Sequence, residues 1–253
     1  DTTNGIMYNS AYFIQNGEVV DGVHKNILSD YDVFNESRYF IAGEDNSTIR
    51  YKNQNIRIIF DEYESEFIDK NDSFVVMMGM TPFTIESRAD RHHILSTLAQ
   101  KYSKNIIAVN HFGGYTSVLF DGNCTAYNYK GKLVAQLKEF DEDFQIIDTN
   151  KLGSLPTIPF HQKEKIALIH EALCFGIKDY FGKHGFKKAI LGLSGGIDSA
   201  VVAALAAEAL GADNVMGLLM PSRYSTDHSI SDAEALAQNL QIPYATIAIK
   251  DIY

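Results

Sequence analysis

The run Leu191-Gly192-Leu193-Ser194-Gly195-Gly196-Ile197-Asp198-Ser199-Ala200 has the residue types and the spacing to hold phosphate. A parallel strand that ends here and passes directly into a helix gathers several backbone N–H groups and the positive helix end around one concave spot. Gly195 and Gly196 let the main chain approach an anion with no Cβ in the way, and Ser194 and Ser199 add hydroxyl donors. Asp198 is the odd member, because a carboxylate beside phosphate is repulsive unless a cation such as Mg²⁺ lies between them. A metal-bridged pyrophosphate follows, with Gly192, Leu193, Ser194, Gly195, Gly196, Ile197, Asp198 and Ser199 around it and Asp198 as metal ligand. The bland alternative is a serine-capped helix after a glycine turn. No Gly-x-x-x-x-Gly-Lys-Ser/Thr is present, and Gly-x-Gly-x-x-Gly does not follow the strand, so neither a P-loop nor a Rossmann dinucleotide site fits.

The elements that must position this loop repeat in β-α-β order. Lys163 to Lys183 reads as an amphipathic helix, Lys188 to Leu193 as a strand, Ser199 to Leu210 as an alanine-rich helix and Val215 to Met220 as a strand. Ser229 to Leu240 follows as a helix opened by a Ser-x-x-Asp cap, and Tyr244 to Ile249 as a third strand. That order predicts a doubly wound parallel sheet. Upstream, strand signals dominate: 6–14, 17–23, 56–60, 74–80, 106–110, 116–120, 124–129, 133–138 and 144–148, with a helix over 88–102 carrying Ile94, Leu95, Leu98 and Tyr102 on one side. The mixture predicts a layered α/β domain over 1–149. Gly153, Pro156 and Pro159 cluster without periodicity, which places a linker at 150–162 and a second domain at 163–253. A chain of 253 residues is long enough for two domains rather than one core.

The net charge of −10 and scattered basic residues argue against a nucleic-acid partner. No window approaches the roughly 20 apolar residues that span a bilayer, and the polar start does not resemble a signal peptide, so the expectation is a cytoplasmic protein without membrane attachment. Cys124 and Cys174 are the two cysteines and lack C-x-x-C spacing, which removes support for a disulfide framework or a zinc motif.

Ser194 to Ser199 resembles the signature of the ATP pyrophosphatase superfamily, whose fold is of the adenine nucleotide alpha hydrolase type. Leu218-Leu219-Met220-Pro221-Ser222-Arg223-Tyr224-Ser225, followed by Asp232-Ala233-Glu234-Ala235-Leu236-Ala237, is similar to the corresponding stretch of NAD synthetases. The resemblance implies ATP and Mg²⁺ at this loop and Met220 beside the adenine. Arg223 reads equally as a solvated loop charge or a phosphate ligand.

Residues 5 to 148 resemble the carbon–nitrogen hydrolase (nitrilase-like) domain that precedes the synthetase in glutamine-dependent NAD synthetases. The likeness rests on Tyr8-Asn9-Ser10-Ala11, on 25–31 with 34–40, and on 109–114 with Phe120-Asp121-Gly122. It implies a cysteine thiolate that attacks the glutamine amide, a glutamate base and a lysine that stabilises the intermediate. Lys25 matches that lysine, and Tyr31 and Thr81 match glutamine-pocket positions. Tyr63 is aligned with the nucleophile, so no cysteine stands there. The base glutamate belongs to a segment upstream of this chain, and Ser87 with Arg88 stands where the family carries a second lysine. The segment 63–73 is short, and the chain stops at Tyr253 after a third strand, so the sequence reads as incomplete at both ends.

By resemblance the activity is that of a ligase: ATP-dependent amidation of deamido-NAD to NAD through an acyl-adenylate, with nitrogen from glutamine. The alternatives are an ammonia-only synthetase with a degenerate glutaminase domain, or a non-catalytic ATP-binding fragment. Both domain families imply a homo-oligomer.

Overall fold

In the computed structural model the described residues are 2, 3, 5–44 and 47–250. The chain divides into two units, Asp1–Phe112 with Phe120–Gln162, and Gly113–Leu119 with Lys163–Tyr253.

The first unit opens with a short pair, β1 (Thr2–Thr3) and β2 (Ile6–Met7), then a hairpin of β3 (Ser10–Gln15) and β4 (Glu18–His24). Asn16 and Gly17, at φ of 53° and 83°, form its turn; an Asn-Gly pair reaches positive φ at little cost. The central sheet has six strands in the order β12-β11-β8-β7-β6-β5. These are β5 (Thr48–Tyr51), β6 (Gln54–Ile59), β7 (Phe74–Gly79), β8 (Ile106–Asn110), β11 (Thr125–Tyr127) and β12 (Leu133–Gln136). β6, β7 and β8 run parallel, and the outer pairings are antiparallel. A further pair, β9 (Phe112–Tyr115) and β10 (Val118–Asp121), lies between β8 and β11 in the chain.

Strand period decides which side chains meet. Ile59, Val75 and Met77 pack with Leu95, Leu98 and Ala99 of α1 (Ser87–Tyr102), the crossover between β7 and β8. Their chain neighbours Ile58 and Val76 face the other way and pack with Ala11, Val23 and Ile49. The unit is thus layered, helix on sheet on hairpin. Complete burial of a side chain such as Leu95 is worth about 2 kcal/mol, so Leu95→Ala would cost more than any surface change.

Several expectations fail here for identifiable reasons. The stretch read as a strand over 144–148 is irregular: Phe144 and Ile146 are 81% and 87% exposed, and the sheet already ends at β12. The strand Thr48–Tyr51 was not foreseen, since its alternation is too polar to stand out. The segment read as a surface linker belongs to the first unit. Leu152 is fully buried with Ala126, Val134 and Ala135, and the Ile158 N–H donates to Leu133 O at 2.8 Å.

The second unit contains α2 (Lys165–His184), β13 (Ala189–Gly192), α3 (Ile197–Leu210), β14 (Val215–Leu219), α4 (Asp227–Asn239) and β15 (Tyr244–Thr246). The three strands are parallel in chain order. Small residues of the two helices after the loop, Ala203, Ala206, Ala233 and Ala237, close onto Leu193, Val215 and Leu219. α4 starts earlier than the sequence suggests, because Thr226 is its cap and accepts the Ser229 N–H at 3.3 Å. Gly113–Leu119 groups with this unit, contrary to a boundary drawn at 149. The Gly114 N–H donates to Asp179 of α2 at 2.9 Å, and Lys183 Nζ donates to Gly114 O at 2.8 Å. Among the described residues no helix is long and apolar enough to cross a membrane.

Candidate functional site

Lys25, Tyr31 and Thr81 come together on the walls of one cleft of about 610 Å³ in the first unit, with Asn9, Ser29, Glu36, Asp61 and Met77. Lys25 follows β4, and its N–H donates to Asn9 O at 2.8 Å. Its side chain is buried, which excludes the reading of a surface lysine. Nζ donates to Ser29 Oγ at 2.7 Å and pairs with Glu36 Oε2 at 2.8 Å and Asp61 Oδ2 at 3.2 Å. Glu36 also accepts the Ser29 N–H at 2.6 Å and Asn9 Nδ2 at 2.8 Å. Burial raises its pKa, but the bonds from Lys25, Ser29 and Asn9 outweigh burial and hold the carboxyl below its ordinary value.

The residue that reaches Lys25 after β6 is Asp61, and Tyr63, read as aligned with the nucleophile, does not meet that lysine. The backbone turns into a 3₁₀ segment, Glu62–Phe67, immediately after Asp61. Asp61 Oδ1 caps that turn by accepting the Tyr63 N–H at 3.0 Å, which leaves Oδ2 for the lysine. Tyr63 is turned outward: the residue is 58% exposed, and its ring meets that of Tyr31 edge-on at 6.4 Å between centroids. Tyr63 is also absent from the cleft wall.

Glu64 is the positioning residue that sequence reading missed. It is fully buried, and Oε1 accepts the N–H groups of Asn26 and Ile27 at 2.7 and 3.1 Å while Oε2 accepts that of Phe60 at 2.8 Å. One carboxylate thereby clamps the backbone after Lys25 to the backbone before Asp61. Desolvation raises its pKa above the usual value, although the three N–H bonds oppose the shift. A run of three acidic residues, Glu62, Glu64 and Glu66, hid it, since such a run usually reads as a solvated face.

Tyr31 closes one side of the cleft, its phenol pKa raised by burial and by Glu62 and Asp61. Thr81 is fixed from behind: its N–H donates to Asn110 Oδ1 at 2.9 Å, and Asn110 Nδ2 donates to Asp121 at 3.0 Å. Ser87 and Arg88 do not reach the cleft. Ser87 exchanges hydrogen bonds with Thr84 at the start of α1, and Arg88 pairs with Glu139 at 2.6 Å. Neither Cys124 nor Cys174 lines the cleft, so a lysine faces two carboxylates there with no thiol on the walls.

The second unit carries a separate cavity of about 220 Å³. Gly192, Leu193, Ser194 and Met220 share its wall with Pro221, Ser225 and Ser229, so four predicted residues meet. Gly195, Gly196, Ile197, Asp198 and Ser199 are not on that wall and form the turn into α3, with Gly196, Ile197 and Asp198 exposed and Gly195 and Ser199 half-buried. Gly195 sits at φ +76°, and a Cβ there would lie 2.3 Å from Ser229 O, so only glycine fits. Ser199 Oγ accepts the Ser194 N–H at 3.2 Å and lies 3.1 Å from Ser194 Oγ, and the Gly196 N–H donates to Ser194 Oγ at 3.3 Å. The hydroxyls preshape the loop, and an anion can replace these long internal bonds. Asp198, on the exposed first turn of α3, is the adjacent carboxylate that a bridging cation requires. The loop therefore fits a polyphosphate with its divalent cation.

Together these features define a two-unit α/β protein: a carbon–nitrogen hydrolase-like layered unit and an NAD synthetase-like parallel-sheet unit with a glycine- and serine-rich loop before α3. The NAD synthase family matches residues 169–253. Over nearly its whole length the chain is similar to glutamine-dependent NAD(+) synthetases. It is 38% identical to that of Synechocystis sp. (strain ATCC 27184 / PCC 6803 / Kazusa), over 97% of this chain and 48% of the relative. The structure of glutamine-dependent NAD+ synthetase from Acinetobacter baumannii in complex with adenosine diphosphate superimposes with a TM-score of 0.90 at 31% identity. That likeness covers 100% of this chain and 50% of the other. A carbon–nitrogen hydrolase from Helicobacter pylori G27 shares the fold alone, with a TM-score of 0.50 at 16% identity over 55% of this chain and 56% of the other. The chain spans about half the length of the curated relatives it matches.

Proposed function

We propose that this chain carries the ATP-activating part of an NAD synthetase, a ligase that amidates the nicotinate carboxylate of deamido-NAD. ATP lies with its adenine by Met220 and its phosphates on Gly192 to Ser199; Asp198 is the residue that would hold Mg²⁺, which would offset the phosphate charge. The carboxylate attacks the α-phosphorus, pyrophosphate leaves, and ammonia displaces AMP from the acyl-adenylate. The observation that carries this reading is the loop itself: Gly195 at positive φ against Ser229 just before α3, with Ser194 and Met220 on one cavity wall. In the first unit Lys25, Tyr31 and Thr81 form the pocket for glutamine's amide end. Asp61 opposite Lys25 supplies a carboxylate in place of a thiolate, so this pocket holds an amide or ammonium without cleaving it, and free ammonia supplies the nitrogen.

Exchange of labelled pyrophosphate into ATP tests the first step, because only reversible adenylation returns the label. Exchange that depends on deamido-NAD and disappears in Asp198→Ala supports the proposal. Exchange that ignores deamido-NAD, or persists undiminished in Asp198→Ala, would overturn it.

A further inference from the structure

Cys174 and His170 lie one turn apart on α2, and Glu208 faces them from α3, which packs alongside. His170 Nε2 is 3.0 Å from Glu208 Oε2 and 3.8 Å from Cys174 Sγ, and the three donor atoms lie within 4.8 Å of one another. The arrangement is not a nucleophile–base–orienter relay. Such a relay uses opposite ring nitrogens, one for the thiol and one for the carboxylate, whereas here both approach Nε2. Three different donors converging on one point is instead the geometry of a coordination shell. A zinc ion bonded at about 2.0–2.3 Å places its ligand atoms about 3.4–3.6 Å apart, between the 3.0 and 3.8 Å found around His170 Nε2. A thiolate and a carboxylate also supply two negative charges, which a divalent cation neutralises.

We infer that His170, Cys174 and Glu208 form a zinc-class metal site that ties α2 to α3 in the second unit. The donor set of one sulfur, one nitrogen and one oxygen favours Zn²⁺ or Co²⁺ over Mg²⁺, which prefers oxygen alone. His170 and Glu208 are 44% and 61% exposed in their side chains, so the ion enters from solvent and keeps a water as fourth ligand. The thiol proton leaves to solvent as sulfur binds. The site is distinct from the loop cation. Asp198 and Glu208 are separated by ten residues of α3, roughly 15 Å along the helix axis.

The test titrates Co²⁺ and then Zn²⁺ into the 253-residue chain without nucleotide. One Co²⁺ per chain is expected, with a thiolate-to-cobalt absorption band that Cys174→Ser abolishes and Cys124→Ser leaves in place. His170→Ala should weaken Zn²⁺ at least about 100-fold and Glu208→Gln about tenfold. Asp198→Ala should leave both unchanged, and Zn²⁺ should raise the Tm of the parent but not of His170→Ala. Circular dichroism of the metal-free variants, each altered at a partly exposed side chain, confirms that they fold. A thiolate band that survives Cys174→Ser, equal Zn²⁺ affinity in parent and His170→Ala, or no bound metal at micromolar Co²⁺ would each overturn the inference.

Discussion

Lys25 Nζ stands 3.2 Å from Asp61 Oδ2 in a buried site, and the same ammonium is 2.8 Å from Glu36 Oε2. One cation thus serves two carboxylates, so the three charges are unequal in worth. Lys25→Met leaves the buried Asp61 and the part-buried Glu36 without their cation and should cost about 3–5 kcal/mol at neutral pH. Asp61→Asn leaves Lys25 with Glu36 and Ser29 and should cost about 1–2 kcal/mol. Urea denaturation of the two variants checks the order, and a Lys25→Met chain as stable as Asp61→Asn would refute it.

The proximity of Lys25 to Asp61 also predicts how a thiol would behave in that position. In Asp61→Cys the ammonium should draw the thiol pKa below the ordinary value of about 8.5. Iodoacetamide alkylation followed against pH should therefore show a thiolate at residue 61 that reacts at neutral pH, faster than Cys124 or Cys174. A midpoint at or above that of a free thiol would show that Lys25 does not act on this position.

Two carboxylates that hold this site together, Glu64 and Glu36, have pKa values shifted in opposite directions. Glu64, raised by burial, holds its proton in the folded chain at pH values where the unfolded chain has released it. Its contribution therefore favours folding below its ordinary 4.5 and falls away as pH rises through the folded value. Glu36 is lowered, so its contribution is present above 4.5 and lost as pH falls through the folded value. Carboxyl ¹³C resonances followed against pH should place Glu64 above 4.5 and Glu36 below it, and the reverse order would contradict the geometry.

Much of this architecture can be read from residue order, and the exceptions share a cause. β8 and α3 follow from local composition, β8 as a short β-branched apolar run and α3 as an alanine-rich stretch after the glycine turn. The loop at Ser194 is legible because its glycines and hydroxyls act locally. Leu152 and Glu64 are illegible for the converse reason: each is buried by residues distant in the chain, and a proline-rich or acidic neighbourhood suggests exposure. The separation of Tyr63 from Lys25 has a similar origin. Three successive residues, Asp61, Glu62 and Tyr63, can end a strand, and only the 3₁₀ turn after Asp61 decides which side chain points at Lys25. The metal cluster spans two helices, so no sequence motif announces it.

Gly195 offers the most direct test of the central claim that the loop after β13 is a nucleotide site. Its φ of +76° and the 2.3 Å approach of a Cβ to Ser229 O leave an alanine no place without moving α4. Calorimetric titration of ATP·Mg²⁺ into the parent chain and Gly195→Ala isolates that geometry. Saturable binding in the parent, at least about 100-fold weaker in Gly195→Ala while the first unit keeps its fold, is the predicted result. Equal affinity in the two proteins, or no binding by the parent at millimolar ATP·Mg²⁺, would contradict it.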